Sequence, residues 1–239
     1  SSIERLCENA ACGKLLLVSA VESRNIRPFL ESTTLDYLGK RISTLKISVE
    51  SLAEGGLNAP RFKVDAENPA FDYSPGCAIF EAGLSRGSKL ECLTVIRGDA
   101  PTIVSFHGAP LRKKYSLPRF ERLKTLVDFE CNALFFSDPA LRLSKRLELA
   151  WFTGWEGLNL HELMGKWISI FSNELGSNRV LLSGSSGGGF AALQTAPYVD
   201  DSIEVVFNPQ TQLDQYLVGG EATAEKPNTT TLRASTPSY

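Results

Sequence analysis

The run Leu181-Leu182-Ser183-Gly184-Ser185-Ser186-Gly187-Gly188-Gly189-Phe190 places a hydroxyl between small residues where a strand passes into a helix. Read as G-x-S-x-G, it sets Ser186 at the turn with Gly184 and Gly188 two residues to either side, where side chains would collide across a sharp reversal. Such a turn lifts a nucleophilic hydroxyl out of a sheet. It also puts the Gly187 amide at a helix N-terminus, where a developing oxyanion is stabilised. Shifting the frame to Ser185 makes Ser183 a flank, and its side chain fits the reversal less well. Two other readings stand beside this one. The glycines can serve only to let strand and helix pack closely. They can also cradle a phosphate, although the P-loop lysine is missing and G-x-G-x-x-G is not matched.

A second motif, Phe106-His107-Gly108-Ala109-Pro110, follows an apolar stretch from Thr102 to Phe106. With both motifs in this order, the chain resembles the α/β-hydrolase superfamily over roughly residues 101 to 209. In that family an H-G-x-P loop after one strand and a nucleophile elbow after a later one face the same cleft. The resemblance implies Ser186 as nucleophile of a serine esterase or acyltransferase, with the Ala109 and Gly187 amides as the oxyanion hole. His107 and Gly108 then belong to the binding loop, with His107 in a positional role. The family also carries variable caps over its pocket. Trp151, Phe152 and Trp155 fall in that region, with Trp151 and Trp155 as candidate binding residues; the alternative, a core role, is the reading that aromatic burial favours.

The triad of the resembling family runs serine, acid, histidine, and here no histidine follows Ser186. Asp200, Asp201 and Asp214 are the downstream carboxylates, and Asp214 is the candidate acid. The short, low-complexity stretch after Phe207 leaves the strands that carry acid and base without sequence. A serine lacking an adjacent base is a weak nucleophile. The expectation is therefore a weak or incomplete ester hydrolase, or a non-catalytic relative that binds a carbohydrate or acyl ligand in the same pocket.

The elements that must position these motifs follow from periodicity. Leu45/Ile47/Val49 and Phe62/Val64/Ala66 alternate as strands do, and Cys77 to Ala82 with Leu90 to Ile96 read as a hairpin. After Pro101, short apolar strands alternate with helical patterns, which is β-α-β grammar and a parallel sheet. Strands are expected at Thr102 to Phe106, Ala133 to Phe136, Val180 to Ser183 and Ile203 to Phe207. One helix is expected from a Ser116 cap through Phe120, Leu123, Leu126 and Val127. A second follows from Leu160, Leu163, Met164, Trp167, Ile168, Phe171 and Leu175, closed by Gly176; a third spans Gly189 to Thr195. Ile3 to Cys12 and Pro28 to Lys40 read as short helices.

The fold class is thus α/β, a mostly parallel sheet flanked by helices. It divides into an N-terminal region with antiparallel strands (residues 1–100), a hydrolase-like core (101–218) and a disordered tail (219–239), the last too poor in apolar residues to order.

Composition bounds the partners. The 239 residues carry 25 Lys plus Arg against 27 Asp plus Glu, a formal charge of −2 that gives no basic excess for nucleic acid. The charge run Arg112-Lys113-Lys114 reads as a solvated face or as a means of attracting an anionic substrate. No apolar run reaches the roughly 20 residues of a membrane helix. Five scattered cysteines without a C-x-x-C pair, and only two histidines, indicate reduced thiols, no metal site and no cofactor. The expectation is a cytoplasmic protein acting on a small-molecule ester or glycan-type substrate.

Overall fold

A computed structural model of the chain describes residues 15–18, 59–126, 129–177, 179–211 and 213. The expected helices before residue 44, the Leu45/Ile47/Val49 strand, Val127, Asp214 and the expected tail lie outside the described residues. The strands are β1 (Leu15–Val18), β2 (Arg61–Lys63), β3 (Gly76–Gly83), β4 (Lys89–Ile96), β5 (Thr102–Phe106), β6 (Asn132–Ser137), β7 (Gly154–Trp155), β8 (Leu158–Asn159), β9 (Val180–Ser185) and β10 (Ser202–Phe207). The helices are α1 (Leu123–Leu126), α2 (Leu160–Glu174) and α3 (Gly187–Thr195). All strands except the small β7/β8 hairpin join one sheet in the order β1-β10-β9-β5-β6-β4-β3-β2.

The run β1-β10-β9-β5-β6 is parallel throughout. Parallel strands need covering on both faces, and every residue of β5 and β6 is buried. Period-two alternation sorts their side chains: Val104, Phe106, Leu134 and Phe136 enter the core beneath α2 and α3, while Ile103, Ala133 and Phe135 enter the core beneath α1. The larger core is centred on Trp167, fully buried, whose indole N–H donates to the Ala66 carbonyl at 2.8 Å. That bond satisfies the one polar atom a buried Trp carries.

The antiparallel hairpin forms between β3 and β4, as its sequence predicts, and β4 runs antiparallel to β6 as well, so this region extends the same sheet. Two departures are local. The Phe62/Val64/Ala66 alternation yields only three strand residues, and they pair parallel with β3. The strand stops because the Asp65 carboxylate accepts the Glu67 and Asn68 amides, both at 2.8 Å, which turns the chain. The helix expected from Ser116 shrinks to the single turn of α1. There the Arg119 amide donates to Ser137 Oγ at 3.1 Å and Glu121 O accepts from Ser105 Oγ at 3.0 Å, so strand side chains take the groups a helix would have paired.

Helix α2 matches its pattern closely. Asn159 caps its start by accepting the Glu162 amide at 3.3 Å. Its end is a Schellman closure: Gly176 has φ 63°, its amide donates to Asn173 O at 3.0 Å, and the Ser177 amide donates to Ser172 O at 2.9 Å.

Candidate active site

Strands β5 and β9 are parallel neighbours with Phe106 opposite Gly184, so the loops that follow them open on one sheet edge. Ser186 is the residue between β9 and α3, with φ 54° and ψ −120°. A side-chain-bearing residue held there stores about 1–3 kcal/mol of backbone strain and persists only where its surroundings enforce it. They do so through three bonds. The Ser186 amide donates to Phe207 O at the end of β10 (2.9 Å), and its carbonyl accepts the amides of Phe190 (3.2 Å) and Gln210 (3.3 Å). Ser183 is buried within β9, and Ser185 is its last residue.

The flanking glycines have a steric reason. A Cβ on Gly184 would overlap the Gly188 carbonyl, and a Cβ on Gly188 would overlap the carbonyls of Phe106 and His107. Helix α3 therefore starts pressed against the ends of both β9 and β5. Gly108 closes the other side: a Cβ there would lie 3.2 Å from Ser185 O and 3.7 Å from the Ser186 Cβ.

His107 is 2% exposed, and both of its ring nitrogens are engaged. Nε2 faces the Asp138 amide at 3.0 Å, and an amide can only donate, so Nε2 is the acceptor and Nδ1 carries the proton, held by Gly108 O at 2.6 Å. Burial holds its pKa down at about 4, against the upward pull of the Gly108 bond and with the Arg119 charge adding to the depression. The ring also rests on Phe152, centroids 4.9 Å apart. This imidazole is a strut with no lone pair left for Ser186. Asp138 is its buried neighbour; burial pushes its carboxyl up to about 6, although it accepts the Phe152 amide at 2.8 Å and the Ala140 amide at 3.0 Å.

Trp151 and Trp155 part company. Trp151, at φ 52°, lies beside the elbow: its Cδ1 would be 3.3 Å from a Cβ on Gly187. Its indole N–H donates to Gln210 Oε1 at 2.5 Å, tying this loop to the one after β10. Trp155 is buried with Ala140, Leu141 and Ala150 and donates to Ser85 Oγ at 2.8 Å, a place in the core. His161 donates through Nε2 to Trp151 O at 3.2 Å, and burial keeps its pKa at about 4. Ala109 is exposed, next to Gly108. Among the described residues, no group of three His, Cys, Asp or Glu side chains is placed to hold a metal ion.

Three residues at this edge carried no sequence signal as site residues. Glu121 accepts the Gly108 amide through Oε2 at 2.6 Å. Arg122, at φ 62°, lays its guanidinium 4.7 Å from the centre of the Phe207 ring. Gln210 reaches both Ser186 and Trp151. All three arrive from segments distant in sequence.

No known family model and no curated protein matches the chain. Among solved structures it is similar to brefeldin A esterase, a bacterial homologue of human hormone-sensitive lipase, at 14% identity and TM-score 0.37 over 58% of this chain and 44% of the esterase. It is also similar to carboxyl esterase 2 of the mycorrhizal fungus Tuber melanosporum, at 14% identity and TM-score 0.36 over 74% of this chain and 55% of that one. The chain thus spans about half the length of each, and no residue's role follows from either.

Proposed function

We propose that the protein is a serine-dependent ester hydrolase or acyltransferase in which Ser186 attacks the acyl carbon and the Gly187 and Ala109 amides receive the oxyanion. The observation that carries this reading is the strained Ser186 backbone at the strand-to-helix junction, braced by β10, α3 and the 208–210 segment and abutted by Gly108. Strain of this kind is kept where it aims a reacting group. The Gly187 amide, at the start of a nine-residue helix, adds the positive end of the helix dipole to the same point. The substrate is a small ester or glycan-type molecule. Cys92 and Cys131 are buried free thiols, which suits the cytoplasmic setting this reading proposes, and no described helix is long and apolar enough to cross a membrane.

Among the described residues neither histidine is bonded to the Ser186 hydroxyl: His107 has both ring nitrogens engaged, and His161 gives its Nε2–H to Trp151 O. A preformed oxyanion hole with binding alone retains about 10³–10⁴-fold catalysis over water, far below an intact triad. The test is a fluorophosphonate probe together with short-chain nitrophenyl esters. Slow labelling confined to Ser186, and ester turnover modestly above that of Ser186→Ala, is the expected result. Labelling at another residue, or turnover unchanged in Ser186→Ala, would overturn the assignment.

The double engagement of the His107 ring favours one alternative, a non-catalytic binding protein using this site. It predicts saturable binding of an acyl or carbohydrate ligand with turnover indistinguishable from Ser186→Ala.

A further inference from the structure

Gly108 has both of its main-chain polar groups held by side chains: Glu121 Oε2 takes its N–H and the His107 Nδ1–H takes its C=O, each at 2.6 Å. Glycine is the residue most free to rotate about its own Cα, and here neither adjoining peptide plane can turn. Glu121 is itself fixed, its carbonyl held by Ser105 Oγ on β5 at 3.0 Å. The next residue, Arg122, rests on Phe207, whose carbonyl holds the Ser186 amide. The Glu121-Arg122 pair therefore straps the carboxyl ends of β5 and β10, on either side of β9.

The Gly108–Ala109 peptide is trans and planar, so its C=O and N–H point in opposite directions. Seating Gly108 O on the buried His107 ring sends the Ala109 N–H the other way. The His107 bond alone leaves the plane before Gly108 able to swing; the Glu121 bond closes that freedom. A carboxylate suits the task, because a charged acceptor makes a shorter and stronger bond to an amide than a neutral one does.

We propose that Glu121 is a positioning residue of the oxyanion loop, its carboxylate holding the Gly108 amide so that the neighbouring Ala109 N–H stays aimed at an acyl oxygen on Ser186. The inference rests on the ester-hydrolase reading of Ser186 and adds to it a residue distant from both motifs.

The test compares Glu121→Ala and Glu121→Gln in the full chain. Fluorophosphonate labelling of Ser186 is followed at several probe concentrations, so that the maximal rate separates from probe affinity, and the Gly108 and Ala109 amides are followed by ¹H–¹⁵N NMR. Glu121→Ala is expected to lower the maximal labelling rate by about 10–100-fold, somewhat less than deletion of an oxyanion donor, with probe affinity within about twofold. Glu121→Gln, which keeps an acceptor oxygen, is expected to stay within about threefold of the parent. The Gly108 amide resonance should move upfield in Glu121→Ala, with Ala109 moving alongside.

A Gln variant as slow as the Ala variant would overturn positioning in favour of a proton-transfer role. Faster labelling in Glu121→Ala would overturn it in favour of a carboxylate that blocks the site, and an unchanged rate would overturn it outright. The amide resonances read the clamp whether or not Ser186 reacts. Shifts without any Ser186 labelling in the parent would therefore bring down the ester reading and the catalytic purpose of the clamp together, whereas labelling without shifts would bring down the clamp alone.

Discussion

Replacing Gly188 with alanine tests whether α3 really starts against the end of β5. The added methyl would overlap the backbone carbonyls of Phe106 and His107. Neither can retreat easily. Phe106 ends a strand buried on both faces, and His107 is bonded on both ring nitrogens. Overpacking in a tight core costs about 1–3 kcal/mol when side chains can give way, and a clash with central-strand backbone belongs at or above the top of that range. Against it stands the helix preference of alanine over glycine, about 1 kcal/mol. The net expectation is a loss of about 2 kcal/mol or more, which for a chain of this size lowers Tm by about 4–8 °C.

Thermal unfolding followed by far-ultraviolet circular dichroism reads this directly. Gly83→Ala is the control, since a Cβ there meets nothing within 4 Å and Gly83 has no positive φ; its change is expected within about 0.5 kcal/mol. Fluorophosphonate labelling of Ser186 should slow in Gly188→Ala, because the loop that moves carries Gly108 and Ala109. A Gly188→Ala protein as stable as the parent, or more so, would refute the packing of α3 on β5.

Trp167→Ala removes a fully buried indole and its bond to Ala66 O, and should cost about 3–5 kcal/mol in urea unfolding; a loss below about 1 kcal/mol would contradict its place at the centre of the larger core. Acidification is expected to destabilise the fold between about pH 6.5 and 4. His107 and His161, held at about 4 when folded, take up protons in the unfolded chain first, so their stabilisation fades as pH falls through that window. Asp138, raised to about 6, works in the opposite sense below that value, its contribution being present at low pH and lost on ionisation. Two histidines against one carboxyl leave a net loss of roughly 1 kcal/mol per pH unit from these groups, and a urea midpoint that holds or rises from pH 6.5 to 5 would show the imidazoles to be less buried than they stand here.

What the sequence determined by itself is whatever a short window encodes. The apolar runs of β5, β6, β9 and β10, the β3/β4 hairpin, and the face and glycine stop of α2 were legible because period and capping are local properties of the chain. So was the serine at the turn, since the Gly184 and Gly188 pair marks a reversal that tolerates no side chain on either flank. Tertiary structure decided the rest. Four apolar residues, Leu15 to Val18, say nothing about where they pair, and only the free edge of β10 makes them a parallel strand. Trp151 and Trp155 lie four residues apart with the same chemistry, yet one abuts the elbow and the other joins the core, because the positive-φ turn through Trp151 and Phe152 sends them apart. Glu121 reads as one charge in a polar stretch until the packing of its segment across β5 and β10 carries its carboxylate to Gly108, an effect of long-range contact that no local pattern records.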